Sequence, residues 1–321
     1  MSKIMFVGDV HVKGIAPASR KETPEQYRKV IIDKIKSIQN ICKEQNIENV
    51  IFLGDFYDNN TGIHDELESE IWITLKEMKN NGIGIYSIIG NHDMYFNNEK
   101  DFKVTKLFKA FLGEIITHLD ELTIDDVHIK GIDFGKDFIQ EESYCRYSIM
   151  VGHCFYENER FGGTGNGNLT DEKCNNLGYS AYVLGHDHSP YPTITTSGYT
   201  VIRPGSLTRG TSKTCNLYRK INVALFNTKD LSWSEIEIPS KPGSEIFLDK
   251  VIYNKSQADD IDLNNLIDQL IVKKNPDFYD FLDGNEENAK IKFKELYPEI
   301  KDILVKHCEA LGIYRKVEDV N

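Results

Sequence analysis

Five short motifs between residues 8 and 188 combine a glycine with side chains that can bind metal ions. Each follows an apolar segment, and they read GDVH at 8, GDFYD at 54, GNHD at 90, GH at 152 and GHDH at 185. The candidate ligands are Asp9, His11, Asp55, Asn91, His153, His186 and His188. Hard oxygen donors with imidazole nitrogens, and no thiolate, suit Mn, Fe or Zn better than a calcium cage.

The number of ligands indicates two ions rather than one. Seven ligands exceed what a single four-coordinate ion needs, but they suit two ions that share a bridging carboxylate. Two metal ions about 3.5–4 Å apart clamp a phosphoryl group and activate a water molecule for in-line displacement. The motifs therefore predict phosphate ester hydrolysis.

The predicted elements explain how such distant segments could meet. In the first 90 residues, three predicted strands alternate with two helices. The strands are Lys3–Val7, Asn49–Leu53 and Ile83–Ile89. One helix begins near Thr23-Pro24, and the other spans Asp65–Lys79. This alternation implies parallel strands joined by crossover helices. Open α/β sheets build their sites at the carboxyl ends of the strands, and a glycine there lets the chain turn sharply.

The rest of the chain is predicted to be mostly β structure. After a helix at Asp101–Leu112, the strands are Val127–Gly131, Tyr147–Gly152, Ala181–Gly185, Thr193–Thr196, Tyr199–Ile202, Ile221–Phe226 and Ser232–Ile238. Two prolines and a glycine between residues 239 and 244 predict a boundary, with domains at 1–240 and 245–321. The second domain would hold a strand at Ile246–Tyr253 and helices at Leu263–Val272, Ala289–Tyr297 and Glu299–Ala310.

Composition limits the classes of protein that remain. No apolar run reaches the roughly 18 residues that a membrane span needs, and the N-terminus leads directly into a predicted strand rather than a signal peptide. The six cysteines show no CxxC spacing. We therefore expect a cytoplasmic protein with reduced thiols and no membrane association.

The five motifs, in this order, resemble those of the calcineurin-like metallophosphoesterase superfamily. The resemblance implies an α/β fold: a four-layer αββα sandwich of two mixed β-sheets flanked by helices, here with a small α+β domain at 245–321. It also implies that Asp9, His11 and His188 hold one ion, that Asn91, His153 and His186 hold the other, and that Asp55 bridges them.

The same resemblance implies catalytic roles for residues near the ligands. His92 would stabilise the transition state and protonate the leaving oxygen, Asp93 would orient His92, and Asp58 would support the ligands from outside. Tyr57 is a candidate for the substrate cleft.

Within the superfamily, the chain looks most like the SbcD-type DNA-repair nucleases and related phage recombination nucleases. The features are the GNHD form of the third motif, Asn59-Asn60 after the second, and Arg203-Pro204-Gly205-Ser206-Leu207 after the last. This resemblance implies a Mn-dependent DNA exonuclease or endonuclease in repair or recombination. It would act as a homodimer with an SMC-like ATPase subunit of the SbcC type.

A nuclease must also attract a polyanion. Residues 203–220 contain five basic residues and no acid, so we predict substrate contacts from Arg203, Ser206 and Arg209. The alternative is a basic hairpin that balances the acidic C-terminal part of the chain.

Two other functions remain open at the level of sequence. A net charge of −12 and the absence of an extended basic stretch favour a small-molecule phosphodiesterase or phosphatase, for example one acting on cyclic nucleotides. The third possibility is a scaffold subunit with a vestigial site. His64, His118, His128 and His307 fit no motif, and we expect them to be structural or surface residues.

Overall fold

The computed structural model describes residues 1–58, 64–94, 99–157, 169–210 and 214–248. All of them belong to one compact unit, Met1–Lys255. The elements predicted beyond residue 248 lie outside the described residues, so the domain at 245–321 remains a prediction.

The first sheet has six strands. They are β1 (Lys3–Val7), β2 (Asn49–Phe52), β3 (Gly84–Ser87), β4 (Thr117–His118), β13 (Asn222–Asn227) and β14 (Ser232–Glu237). Their order is β14-β13-β1-β2-β3-β4. Strands β1 to β4 are parallel, whereas β13 and β14 are antiparallel to their neighbours, so the sheet is mixed.

The second sheet also has six strands. They are β5 (Glu121–Ile124), β6 (Val127–Ile132), β7 (Tyr147–His153), β10 (Ala181–Gly185), β11 (Tyr191–Thr195) and β12 (Thr200–Arg203). Their order is β11-β12-β10-β7-β6-β5, with four parallel strands in the middle and antiparallel edges. A separate parallel pair joins β8 (Tyr156–Glu157) to β9 (Leu169–Thr170).

The described residues contain six α-helices: α1 (Pro24–Gln45), α2 (Asp65–Asn80), α3 (Lys106–Leu112), α4 (Asp171–Leu177), α5 (Thr214–Tyr218) and α6 (Gly243–Ile246). Helices α1, α2 and α3 pack on the outer face of the first sheet, and α4 packs on the outer face of the second. Helices α5 and α6 pack together in a small separate cluster. Among the described residues, no helix is both long and apolar enough to cross a membrane.

Alternation along the strands builds the layers. In β1, Ile4 and Phe6 pack into the core between the sheets, whereas Met5 and Val7 pack with α1 and α2 on the other side. In β10, Val183 faces the inter-sheet core and its neighbours join a third core that includes α4. Successive side chains of a strand point to opposite faces, so each central strand serves two cores. The predicted four-layer αββα sandwich is confirmed for the described residues.

The longest helix begins where the sequence predicts. The Thr23 hydroxyl accepts a hydrogen bond from the Gln26 amide at 3.3 Å, and the Gln26 side chain accepts one from the Thr23 amide at 3.0 Å. This capping box satisfies two amides that the first turn leaves without helical partners.

Two predicted elements differ in the structure. The helix predicted over Asp101–Leu112 is divided at Thr105: residues Glu99–Val104 form a 3₁₀ helix, and the Thr105 hydroxyl caps α3. Ile246 lies in α6 rather than at the start of a strand, because Ile246 and Phe247 are buried against Leu217. The short edge strand β4 and the strand β5 were not predicted.

Removing the cap should destabilise the fold modestly. We expect Thr23→Ala to lower the free energy of unfolding by about 1 kcal/mol, the usual contribution of an N-cap side chain. Urea denaturation would measure it, with Ser37→Ala inside the same helix as the control. An equal loss in both variants would contradict a capping role for Thr23.

Candidate metal centre

The metal-capable side chains from both sheets meet around one buried carboxylate, that of Asp55. Its Oδ2 lies 3.3 Å from His153 Nε2 and 3.6 Å from His11 Nε2. Two groups of residues could each hold a metal ion, since the ligand atoms within a group lie within 4.8 Å of one another, and Asp55 belongs to both groups. One group adds His11 and His92, and the other adds His153 and His186. Asp55 therefore has the position of a bridging ligand.

The remaining predicted ligands join the same cluster. His11 Nε2 and His188 Nε2 are 2.8 Å apart, and Asn91 Oδ1 lies 3.1 Å from His153 Nε2. Asp9 is fully buried, and its carboxylate accepts a hydrogen bond from the His186 amide at 3.1 Å. The structure thus brings all seven predicted ligands together.

The electrostatics of this cluster suit divalent cations. Burial raises the pKa of Asp9, and the nearby Asp55 charge raises it further, although His153 acts in the opposite direction. At Asp55 burial alone would raise the pKa, but His153 and His11 hold it below its usual range. A bound metal ion would stabilise both carboxylates in their charged form. The donor set of oxygens and imidazoles fits two such ions.

Three of the ligands have an unusual backbone conformation. His11, Asp55 and His186 have φ angles of 50°, 48° and 83°, in the left-handed region that non-glycine residues seldom adopt. Each such residue costs about 1–3 kcal/mol and persists only where surrounding contacts fix it. Such residues cluster at functional sites, which agrees with a site built for ligand geometry.

Close packing explains two of the motif glycines. A Cβ at Gly90 would overlap the Asp55 carboxylate, and a Cβ at Gly54 would lie 2.6 Å from His153 Nδ1. Gly54 also has a φ of 86°. A larger residue at either position would displace a ligand. This agrees with the prediction that glycine lets the chain approach the site closely.

His92 lies at the exposed rim of this cluster. Its amide donates a hydrogen bond to Asp55 Oδ1 at 2.8 Å, and its ring meets that of His11 edge to face, with 4.8 Å between centroids. Its Nδ1 lies 2.7 Å from the Asp58 carbonyl oxygen, and because a carbonyl oxygen can only accept a hydrogen bond, Nδ1 is the donor. The other ring nitrogen, Nε2, is therefore left outside this hydrogen bond.

The structure contradicts the predicted role of Asp93. Asp93 is fully buried, and its carboxylate accepts hydrogen bonds from the amides of Tyr57 at 3.0 Å, Gly90 at 3.0 Å and Phe56 at 3.3 Å. It fixes the loops after β2 and β3 instead of orienting His92. Burial, reinforced by the charge of Asp55, raises its pKa.

Asp58 supports a ligand from outside the cluster. Its Oδ1 lies 3.3 Å from His11 Nδ1, and its Oδ2 accepts a hydrogen bond from Lys13 at 3.2 Å. Contacts of this kind fix the orientation of a metal-binding imidazole.

Three predicted substrate contacts are structural instead. Tyr57 is fully buried, and its hydroxyl accepts a hydrogen bond from Trp72 at 2.9 Å. The buried Ser206 hydroxyl donates to the Thr208 carbonyl at 2.6 Å. Arg209 is also buried and donates to the carbonyls of Lys241 and Arg219, at 2.9 and 2.7 Å. None of these side chains faces a substrate.

The loop that contains Ser206 braces the metal centre through its backbone. The Ser206 amide donates to the His188 carbonyl at 3.1 Å, and the Leu207 amide donates to the Asp9 carbonyl at 2.9 Å. Arg219 in turn donates to both the carbonyl and the hydroxyl of Ser206, each at 2.9 Å. Sequence reasoning missed this role of Arg219, because nothing in its spacing shows which loop it contacts.

The predicted phosphate-facing patch at 203–220 is therefore largely wrong. Arg209 and Arg219 point inward, and Lys220 pairs with Glu237 at 2.6 Å. Lys213 lies outside the described residues. Arg203 is half-buried, with its guanidinium carbon 4.0 Å from the Tyr191 ring centroid and 5.2 Å from that of Tyr156. Its role as a substrate contact stays a prediction.

Two aromatic rings beside the ligands had no decisive sequence signal. The centroid of Phe155 lies 4.2 Å from that of His186, and the centroid of Phe134 lies 5.5 Å from it. Phe155 is also 43% exposed, so it forms part of the rim.

The other histidines are placed as the sequence predicts, where they are described. His118 pairs with Asp133 at 3.0 Å, and His128 lies between Glu121 and Glu141. His64 precedes α2 without a capping hydrogen bond from its side chain, and His307 lies outside the described residues.

Comparison with known families agrees with this geometry. The model for calcineurin-like phosphoesterases matches residues 2–190, more than half of the chain. The chain belongs to the calcineurin-like phosphoesterase family. The matched range contains the seven ligands and His92 of this phosphoesterase.

Solved structures similar to this phosphoesterase are distant in sequence. The protein TT1561 of Thermus thermophilus is 7% identical, with a TM-score of 0.46, over 74% of this chain and 99% of that one. A dimetal phosphatase from Danio rerio is 12% identical, with the same TM-score of 0.46 and coverages of 74% and 99%. YfcE, a phosphoesterase from E. coli, is 12% identical, with a TM-score of 0.34 and coverages of 74% and 100%. No curated protein sequence matches significantly.

Family and geometry together make this chain a dinuclear metallophosphoesterase-type hydrolase. Bound ions would polarise the phosphoryl oxygens and lower the pKa of a water molecule, which supplies the nucleophile. The seven candidate ligands would hold these ions, and the surrounding contacts fix the position of Asp55, while the His92 imidazole lies at the rim.

Crowding at Gly90 provides a test of the shared ligand. We expect Gly90→Ala to bind fewer than two ions, because its Cβ would overlap the Asp55 carboxylate. Elemental analysis after equilibration with Mn would measure the ions per chain. Gly210→Ala is the control, since a Cβ there meets nothing within 4 Å. Equal metal content in both variants would contradict a close packing of Gly90 against the ligand.

The buried lysine Lys34 gives a prediction about how stability changes with pH. Lys34 donates to the Ser240 hydroxyl at 2.7 Å, and burial, with the charges of Arg209, Arg219 and Arg20, lowers its pKa from 10.5 to about 7. Between these two values the unfolded chain holds a proton that the folded protein has released. The contribution of Lys34 to stability therefore rises with pH over this interval.

We expect the free energy of unfolding of wild type, relative to Lys34→Met, to be higher at pH 9.5 than at pH 6.5. Urea titrations at both values would measure the difference. Lys36→Met, at an exposed position of the same helix, accounts for the loss of a lysine as such. A difference that does not change with pH would show that Lys34 stays protonated in the fold.

Proposed function

We propose that this phosphoesterase hydrolyses phosphodiesters by a two-metal mechanism and that its substrate is DNA. The observation that carries the proposal is the position of His92. Its backbone is bound to the shared ligand Asp55, its ring contacts His11, and the ring is exposed to solvent. An imidazole in this position can protonate the oxygen that leaves phosphorus.

A proton donor matters most when the leaving group is poor. The sugar oxygen released from DNA is an alkoxide, so protonation by a placed acid is worth about 10²–10⁴-fold in rate. The Asp58 carbonyl supports this role, because it fixes the ring through Nδ1 and leaves the other nitrogen to the substrate. Arg203, held between two tyrosine rings, is the proposed phosphate contact.

The choice of DNA rests on the form of the motifs. The GNHD motif and the Arg203-Pro204-Gly205-Ser206 segment are similar to those of SbcD-type nucleases. With that resemblance we propose Mn as the working ion, an SMC-like ATPase as partner, a homodimeric state and a cytoplasmic location. Fe and Zn suit the same ligands.

A small-molecule phosphodiesterase or phosphatase is the second candidate, and one observation favours it. Arg209 and Arg219 are turned inward and bonded to carbonyl groups, so they offer no basic surface to a polymer. A net charge of −12 also disfavours general attraction to a polyanion. A vestigial scaffold has less support, because all seven ligands are present and clustered.

The first experiment compares wild type with His92→Ala on two substrates in the presence of Mn. One is labelled linear duplex DNA, and the other is bis-p-nitrophenyl phosphate. We expect wild type to shorten the DNA and His92→Ala to lose about 10²–10⁴-fold in rate, as expected for a general acid. His64→Ala, at an exposed position before α2, is the matched control.

The alternatives predict different results. Hydrolysis of the small ester with intact DNA would favour the metabolite phosphodiesterase. Loss of neither activity in His92→Ala would remove His92 from the chemistry. Fewer than two ions per chain and no turnover of either substrate would indicate a scaffold. Chelation with EDTA should abolish all activity of an active protein.

A further inference from the structure

An aromatic cavity of about 560 Å³ adjoins the metal centre. Its walls include the side chains of Met94, Phe102, Phe108, Phe111, His118 and Phe134. The size is within the range of about 300–1,000 Å³ that small-molecule sites occupy. Nothing in the hydrolytic chemistry described above uses this space.

Rings form a connected wall on the α3 side of the cavity. The Phe102 centroid lies 5.6 Å from that of Phe108 and 6.0 Å from that of Phe111. The Phe111 centroid lies 5.3 Å from that of His118. These separations are typical of aromatic pairs, so the wall is an ordered surface of ring faces and edges.

Phe134 joins this cavity to the metal ligands. It lines the cavity, and its ring centroid lies 5.5 Å from that of His186 and 6.1 Å from that of His153. Its amide donates to the Ile89 carbonyl at 2.8 Å, immediately before Gly90 and Asn91. A group attached to a phosphate at the metal centre would therefore find the cavity beside it.

One edge of the cavity is polar. The Asp133 carboxylate accepts a hydrogen bond from the Ile89 amide at 2.8 Å, and it lies 3.0 Å from His118 Nε2. Apolar walls with a few fixed polar groups are typical of sites that orient a ligand. A flat ring suits walls made of aromatic side chains better than an aliphatic chain, because it can pack face to face or edge to face with them.

We propose that this cavity binds the nucleobase of the nucleotide next to the phosphate that is cleaved. The inference rests on the proposed function, because it assigns a subsite for the same substrate. Stacking on aromatic side chains is tolerant of sequence, since every base has a π face, and is worth about 1–3 kcal/mol per base. The subsite would therefore favour nucleotide substrates without selecting one base.

The test uses two diesters with the same leaving group. Thymidine 5′-(p-nitrophenyl phosphate) carries a base, and methyl p-nitrophenyl phosphate does not. With Mn, we expect Phe108→Ala to lower kcat/KM for the thymidine ester by about 5- to 150-fold, the stacking contribution expressed as a rate ratio. The value for the methyl ester should change little.

Two further variants distinguish a loss of stacking from a loss of side-chain volume and from a disturbed fold. Phe108→Leu keeps an apolar side chain on α3 without the ring, so we expect the same loss of preference. Leu112→Ala changes a 75% exposed side chain of the same helix and should leave both esters unaffected. Retention of the thymidine preference in Phe108→Leu and Phe108→Ala would overturn the proposal.

A binding measurement keeps this proposal distinct from the proposed function. Calorimetry with thymidine 5′-monophosphate and with inorganic phosphate, both with Mn, needs no turnover. Tighter binding of the nucleotide in wild type, lost in Phe108→Ala, would support the subsite even if neither ester nor DNA is hydrolysed. Equal binding of both ligands by wild type would overturn the subsite even if DNA is hydrolysed.

Discussion

The structure is organised around one buried carboxylate, Asp55, which must lie between two sets of metal ligands. It is 1% exposed, so both the protein and any bound cation must compensate its charge. The His92 amide and the rings of His11 and His153 surround it. Every element that reaches the centre must therefore end within a few ångströms of one point. This requirement determines where the strands end, which residues adopt a left-handed backbone conformation and where glycine is needed.

Two sheets are needed because one edge cannot supply all the ligands. Strands β1, β2 and β3 lead to Asp9, Asp55 and Asn91, while β7 and β10 approach from the other sheet with His153 and His186. The inter-sheet core holds these edges together, and the loop at 206–208 ties the end of β1 to the chain after β10 through backbone hydrogen bonds.

Sequence predicted the elements that follow from periodicity and the ligands that follow from residue type. It predicted only in part which groups the other polar side chains contact. Asp58 and Asp93 each end a metal-binding motif with the same carboxylate group, yet Asp93 accepts hydrogen bonds from three backbone amides and Asp58 supports His11. Arg209 resembled a phosphate ligand by charge but is bonded to carbonyls inside the fold. Phe134 carries no motif, because its place beside His186 depends on packing between loops. Thr105 interrupted a helical pattern that spacing alone made continuous.

The position of β1 in its sheet has a consequence for synthesis on the ribosome. This strand leads to Asp9 and His11, and it is paired on one side with β2 and on the other with β13, which spans Asn222–Asn227. His11 also meets His188, 177 residues further along the chain. Such non-local contacts form late, after loop closure has been overcome. We expect the nascent chain to stay without a complete hydrolytic centre until β13 has emerged, so that the growing polypeptide cannot act on nearby phosphoesters.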